Sequence, residues 1–407
     1  MNENPEQRKR RLRSIYVVHT SMFVFSLGFS INLTGVFPYM KQLLTNNSSE
    51  DILNRYGWVV AMNPLGQMIA SPLLGYIFNK TNDLRSISMA MAVVYILGNS
   101  LYSILSLFPE GESRYIGLLS SRFIVGFASG ISAPLRAYIS FINFFSMKKT
   151  KHLSIVALFQ TLGFIVGPGI QASLTPLKCG QPPISGPYFT LDMYTVAGWL
   201  SVFMGVFQER SLHNRNKTEA DTKSISLEKP DYLAALISLL NFFVFQAVFV
   251  LLETLGTPLC MDNFAWSEET TVFYLGIIMS SGGVMSFICF LTIPPLSKKF
   301  DERYFYLLPL LTSMKAISTG TGCDYDWCNY VPVLQLWQML VSYAVGSTSI
   351  PFCVTICSII FTKLLGPRPQ GVWMGALASS GSFARVIGPI IVSYIYRIYD
   401  DIEITKL

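Results

Sequence analysis

Three ionisable side chains stand inside long apolar runs of the sequence: Arg122, Glu253 and Arg385. A charge placed within a lipid span costs roughly 2.5 to 3.5 kcal/mol or more unless it faces water or a partner, so such residues mark ion or substrate pathways. Arg385, 14 residues into its run, falls near mid-membrane and needs a counter-charge or water. Glu253, the only carboxylate well inside an apolar run, is placed to exchange a proton or, alternatively, to pair with a loop at the interface. Arg122 opens Arg122-x3-Gly126-x3-Gly130, three residues on one helix face, where the glycines let a neighbouring helix approach. The arginine either faces a polar pathway or snorkels to the interface. Two intramembrane arginines point to an anionic substrate or counter-ion. His19 reads as interfacial, while Arg136 and Lys315 stay ambiguous. There is no Walker A sequence, no GxGxxG after a strand and no HExxH, so nothing here calls for an enzyme, a nucleotide, a cofactor or a catalytic group.

The elements that must carry these residues are membrane spans. Of 407 residues 51% are hydrophobic and 13% charged, against about 25% charged in a soluble domain. Apolar runs near the bilayer length cover 15–37, 56–78, 86–108, 115 to about 145, 153–175, 191–207, 232–255, 271–293, 304–317, 330–361 and 371–399. A helix of 23 residues rises about 34 Å, enough for a hydrocarbon core of about 30 Å. The ninth run, interrupted by Lys315, is short for a span. The net charge of +6 is not a nucleic-acid signal, because no polar segment interleaves basic and aromatic residues.

Placed on this map, 20 of the 30 Lys and Arg fall at the N-terminus and in the even-numbered connections, and six in the odd connections and C-terminal tail. Positive charge resists translocation, which puts the N-terminus in the cytosol and keeps the ninth run as a crossing. The overlapping sequons at Asn46 and Asn47 then lie in the first external loop, where glycosylation is possible. Cys323 and Cys328 could close a small lumenal disulfide; the Cys-x4-Cys spacing has no second pair or His beside it, so no metal site is expected. The first run is longer than a signal-peptide core and reads as a retained helix.

Residues 208–231 are polar and without apolar periodicity, a linker that separates a bundle at 15–207 from a second at 232–399, with tails at 1–14 and 400–407. The halves repeat each other. Ala157 to Gly167-Pro168 in the fifth run has its counterpart in Ala378 to Gly388-Pro389 in the eleventh, and Asp83-Leu-Arg85 after the second run matches Asp301-Glu-Arg303 after the eighth. A parallel six-helix repeat describes the major facilitator transporters, whose substrate site lies at the midplane between halves. The Arg122 pattern resembles that superfamily's helix-four motif, in which the arginine faces the cavity. Gly163-x3-Gly167-Pro168 resembles its helix-five motif, read either as plain close packing or as a bendable coupling helix.

Three stretches resemble the lysosomal family of major facilitator superfamily domain-containing protein 8, also called ceroid-lipofuscinosis neuronal protein 7. They are 121–136, 160–168 and the Gly-Pro-Arg-Pro-Gln-Gly loop at 366–371 continuing to Pro389. Glu253-Thr254, Thr257-Pro258, Ser297 to Lys299, and Cys323 with Trp327-Cys328 add to them. The resemblance implies a polytopic all-α endolysosomal protein, with chloride conduction proposed for the family. Three departures stand out: no acidic dileucine signal in the N-terminal tail, a short helix nine with its following loop, and an end after the eleventh run where the family continues into a twelfth helix. The expectation is therefore a monomeric secondary transporter of a small, anionic solute, with Arg122, Glu253 and Arg385 in its cavity, embedded in lipid and without a nucleic-acid partner. An anion channel of the same fold, or a truncated non-transporting member, is the alternative.

Overall fold

The computed structural model describes residues 5–44, 49–142, 149–175, 184–186, 189–213, 231–264, 266–296, 337, 353–366 and 368–404. Asn46, Asn47, Lys315, Cys323, Cys328 and the whole ninth run lie outside the described residues, as does the side chain of Glu253.

Two apolar runs that read as single helices are each split in two. The first becomes α1 (Pro5–Ser30) and α2 (Val36–Leu43), joined by a turn. The fourth becomes α5 (Glu112–Ser129) and α6 (Ser132–Ile142). A proline follows each break and favours it, because it has no N–H for the carbonyl four residues back and its ring crowds that carbonyl. Pro38 acts on Thr34 and Pro134 on Gly130, and each break lies at the residue so affected.

The other α-helices are α3 (Ser49–Thr81), α4 (Leu84–Ser103, followed by a 3-10 turn at Leu105–Leu107), α7 (Lys149–Ser173), α8 (Thr195–His213), α9 (Tyr232–Phe264), α10 (Glu268–Leu296), α11 (Cys353–Leu365, the described part of the tenth run) and α12 (Gly371–Ile404). A short antiparallel pair, β1 (Ile184–Gly186) and β2 (Phe189–Leu191), precedes α8, with Ser185 opposite Thr190. Among the described residues five stretches are long and apolar enough to cross a membrane, namely Leu84–Ser103, Glu112–Ser140, His152–Ser173, Glu269–Ile288 and Gly371–Ile391. Three shorter apolar helices accompany them, Ser14–Ser30, Tyr232–Val248 and Cys353–Leu365.

In the first bundle α1 packs on α7 and α8, α3 on α5, and α4 on α5 and α8; in the second, α9 packs on α12. Small residues set the spacing. Gly126 of α5 lies so close to the Asn63 carbonyl of α3 that no Cβ would fit, and Gly130 meets Ala70 one helical step on. Tyr95 is fully buried, with its ring edge-on to Phe25 at 5.2 Å. Leu97, Phe203, Leu236, Leu240 and Leu291 point outward, an apolar surface suited to lipid chains.

Candidate functional site

The two bundles meet along two antiparallel helix pairs. In the first, α12 lies against α3: Gly371 N donates to Asn79 Oδ1 at 2.9 Å, Ser379 Oγ to the Met68 carbonyl at 2.7 Å, and Ser382 Oγ to Gln67 Oε1 at 3.2 Å. A Cβ on Gly375 would come within 2.6 Å of Pro72 Cα, so the backbones touch. The contact extends from Gln67 to Asn79 of α3, about 18 Å of helix. It occupies the end of the molecule that carries Lys80, Arg85, Lys363 and Arg368, here called the basic end.

In the second pair α10 lies against α7. Ser280 Oγ donates to the Ile165 carbonyl at 2.9 Å, and a Cβ on Gly276 would meet the Pro168 carbonyl at 2.8 Å. α7 is the fifth apolar run and α12 the eleventh; α3 is the second and α10 the eighth. These are the runs that match each other in the sequence repeat, so a two-fold operation that exchanges the bundles carries one inter-bundle contact onto the other.

Among the described residues a cation also crosses the interface. The Arg385 guanidinium of α12 lies 4.6 Å from the centroid of the Phe29 ring of α1, a cation–π contact, and that ring meets Phe164 of α7 edge-on at 5.6 Å. Arg385 is 9% exposed. Arg122 sits elsewhere. It is buried inside the first bundle, where it and Asp192 both act electrostatically on Tyr102 at the end of α4. Tyr102 in turn belongs to an aromatic group in which the Tyr39 ring lies tilted at 5.1 Å from that of Tyr102 and 5.3 Å from that of Tyr194.

A model of the Major Facilitator Superfamily matches residues 18–389. The chain belongs to the Major Facilitator Superfamily. Its relatives include major facilitator superfamily domain-containing protein 8 of Xenopus laevis, 33% identical over 97% of this chain and 88% of that protein. Its fold is similar to that of the human organic anion transporter MFSD10, with a TM-score of 0.61 at 16% identity over 97% of this chain and 95% of that one. A bacterial homolog of the human lysosomal transporter Spinster, inward-facing and occupied, gives a TM-score of 0.67 at 12% identity, covering 100% of this chain and 85% of the other.

Within this superfamily fold the residues singled out in the sequence are not gathered at one point. Arg385 lies at the bundle interface and Arg122 within the first bundle, and no described contact joins them. Gly163 and Gly167 press α7 onto α1, where a Cβ on Gly163 would meet Ser26 Cβ at 2.7 Å and one on Gly167 the Ile31 amide nitrogen at 2.7 Å. Gly388 faces Val250 of α9, and Pro168 and Pro389 remain inside their helices. Arg136, ambiguous in the sequence, donates to Gln160 Oε1 at 2.5 Å from α6 to α7. His19 stacks on Phe159 with centroids 4.9 Å apart.

Other participants escape sequence reading. Gln67, Ser379 and Ser382 are ordinary polar residues within apolar runs and Asn79 directly follows one, and nothing local marks them as partners across the halves. Asp192 had a visible signal: Asp192-x2-Thr195 is a helix N-cap pattern, and its carboxylate accepts from Tyr194 N at 2.9 Å and Thr195 N at 2.8 Å.

Proposed function

We propose that the chain is a secondary transporter that moves a small anionic solute by alternating access, coupled to an ion gradient, in the endolysosomal membrane with its N-terminus cytosolic. One observation carries the reading: Arg385 of the second bundle lies over Phe29 of the first, a buried cation between two halves that touch along repeat-related helix pairs. A cation resting on an aromatic face can exchange that contact for an anionic group, and its cost in the membrane falls when one arrives. The α3–α12 contact at the basic end is built from short hydrogen bonds and bare backbone contact, so it can separate as a unit when the bundles rock. The fold likeness to an organic anion transporter supports the choice of an anion, and the endolysosomal setting is what the motif resemblance at 121–136, 160–168 and 366–389 implies. In this reading Arg122 sets the field of the first bundle, and Glu253 is the candidate proton carrier.

The test is uptake of an anion panel into proteoliposomes across an imposed pH gradient. Saturable, gradient-dependent flux that Arg385→Gln abolishes without loss of folding is the expected result. Unchanged flux in Arg385→Gln sinks the assignment of Arg385. A current that neither saturates nor reverses with the gradient would assign an anion channel instead.

A further inference from the structure

At and beside the break between α1 and α2, three side-chain oxygens have no hydrogen-bond partner among the described residues: Asn32 Oδ1, Thr34 Oγ1 and Gln171 Oε1. Their residues are 2%, 1% and 1% exposed. Gln171 reaches the break from α7, its amide nitrogen 3.1 Å and its amide carbon 3.4 Å from the point a Cβ on Gly35 would occupy. The amide nitrogen donates to the Met193 carbonyl at 3.1 Å, which leaves the oxygen as the free end of that group. The backbone adds to the set, because Pro38 has no N–H to offer the Thr34 carbonyl. The last turn of α1 contributes the negative end of a 26-residue helix.

Buried acceptors without donors are unfavourable and call for a ligand that supplies positive charge or protons. The chemistry of the set narrows the choice. An amide, a hydroxyl, a second amide and an unwound carbonyl are all neutral, and the carboxylate in the adjacent segment, Asp192, is engaged by the amides of Tyr194 and Thr195. Divalent ions favour carboxylates, whereas neutral oxygens at an interrupted membrane helix suit a desolvated monovalent ion. We infer that Asn32, Thr34 and Gln171, with the Thr34 carbonyl, form a binding site for a small alkali cation at the break in the first span. Its role as the coupling ion rests on the transporter reading; binding itself does not.

The test uses the purified full chain in detergent, its thermal unfolding followed as sodium or potassium chloride replaces choline chloride at constant ionic strength. The expected result is a saturable rise in Tm with an alkali salt, lost in Thr34→Val and kept in Thr34→Ser. A Tm equal in all three salts overturns the site, and so does a full response in Thr34→Val. Should Thr34→Val not fold, equilibrium binding of radioactive sodium to the wild-type chain decides, and lack of saturable uptake overturns the proposal. Anion flux indifferent to sodium and potassium would remove the coupling role and leave the transporter reading standing. A cation-dependent Tm without any anion flux would do the reverse.

Discussion

Ser379 Oγ donates a 2.7 Å hydrogen bond to the carbonyl of Met68, the residue whose helical donor is missing because position 72 is proline. An irregularity in one bundle is thus satisfied by a side chain of the other. The bond exists only while α3 and α12 are together.

Ser379→Ala should therefore favour the state in which these helices part at the basic end. A buried carbonyl left without a donor costs about 1 to 3 kcal/mol, a shift of roughly 5- to 150-fold in the ratio of the two states. Spin labels at Thr81→Cys and Pro369→Cys, with the native cysteines replaced, report the separation. An unchanged distance distribution would contradict the assignment.

Asn79 accepts from the first amide of α12, at Gly371. Asn79→Asp places a full negative charge at a helix N-terminus, worth about 0.3 to 1 kcal/mol in favour of contact, and Asn79→Leu removes the acceptor. Thiol labelling from the basic side of a cysteine at Gln67 should slow in the first variant and quicken in the second.

Gly375 faces Pro72 Cα, the Ser71 carbonyl and Pro72 N, all backbone and all within 2.9 Å of a would-be Cβ. No side chain can move aside, so Gly375→Ala must push the two helices apart. Overpacking of this kind costs roughly 1 to 3 kcal/mol. A lowered Tm and at least a tenfold drop in flux are expected, whereas Ser380→Ala on the same helix, which loses only a bond to the Leu239 carbonyl within the second bundle, should leave the α3–α12 distance unchanged.

Phe29→Leu removes the ring beneath Arg385 and keeps an apolar side chain. A cation–π contact of about 0.5 to 2 kcal/mol is lost, which should change the KM for the transported anion by about 2- to 30-fold with a smaller effect on maximal rate. Equal KM values for the variant and the wild type would detach Phe29 from the site.

The external placement of the first loop has its own check. Treatment of the expressed protein with peptide N-glycosidase should lower its apparent mass, and the shift should vanish when Asn46 and Asn47 are both changed to Gln. A shift that requires Asn216 instead would invert the topology.

Much of the architecture is already written in local patterns. Long apolar runs, basic connections and a repeated Gly-Pro motif lead to a two-bundle membrane protein, because burial in lipid acts on composition and length alone. The same locality explains what the runs concealed: the apolar runs look continuous through 31–35 and 130–131, and only the chain's path shows that the helix stops and restarts there. The partnerships are another matter. Arg385 with Phe29, Ser379 with Met68 and Asn79 with Gly371 join residues about 300 or more positions apart, and no rule of spacing reaches across that distance. Their pairing follows from how two bundles settle against each other, set by the backbone contact that Gly371 and Gly375 allow. Residue types established where this chain resides; the packing of one half on the other selected which polar groups meet.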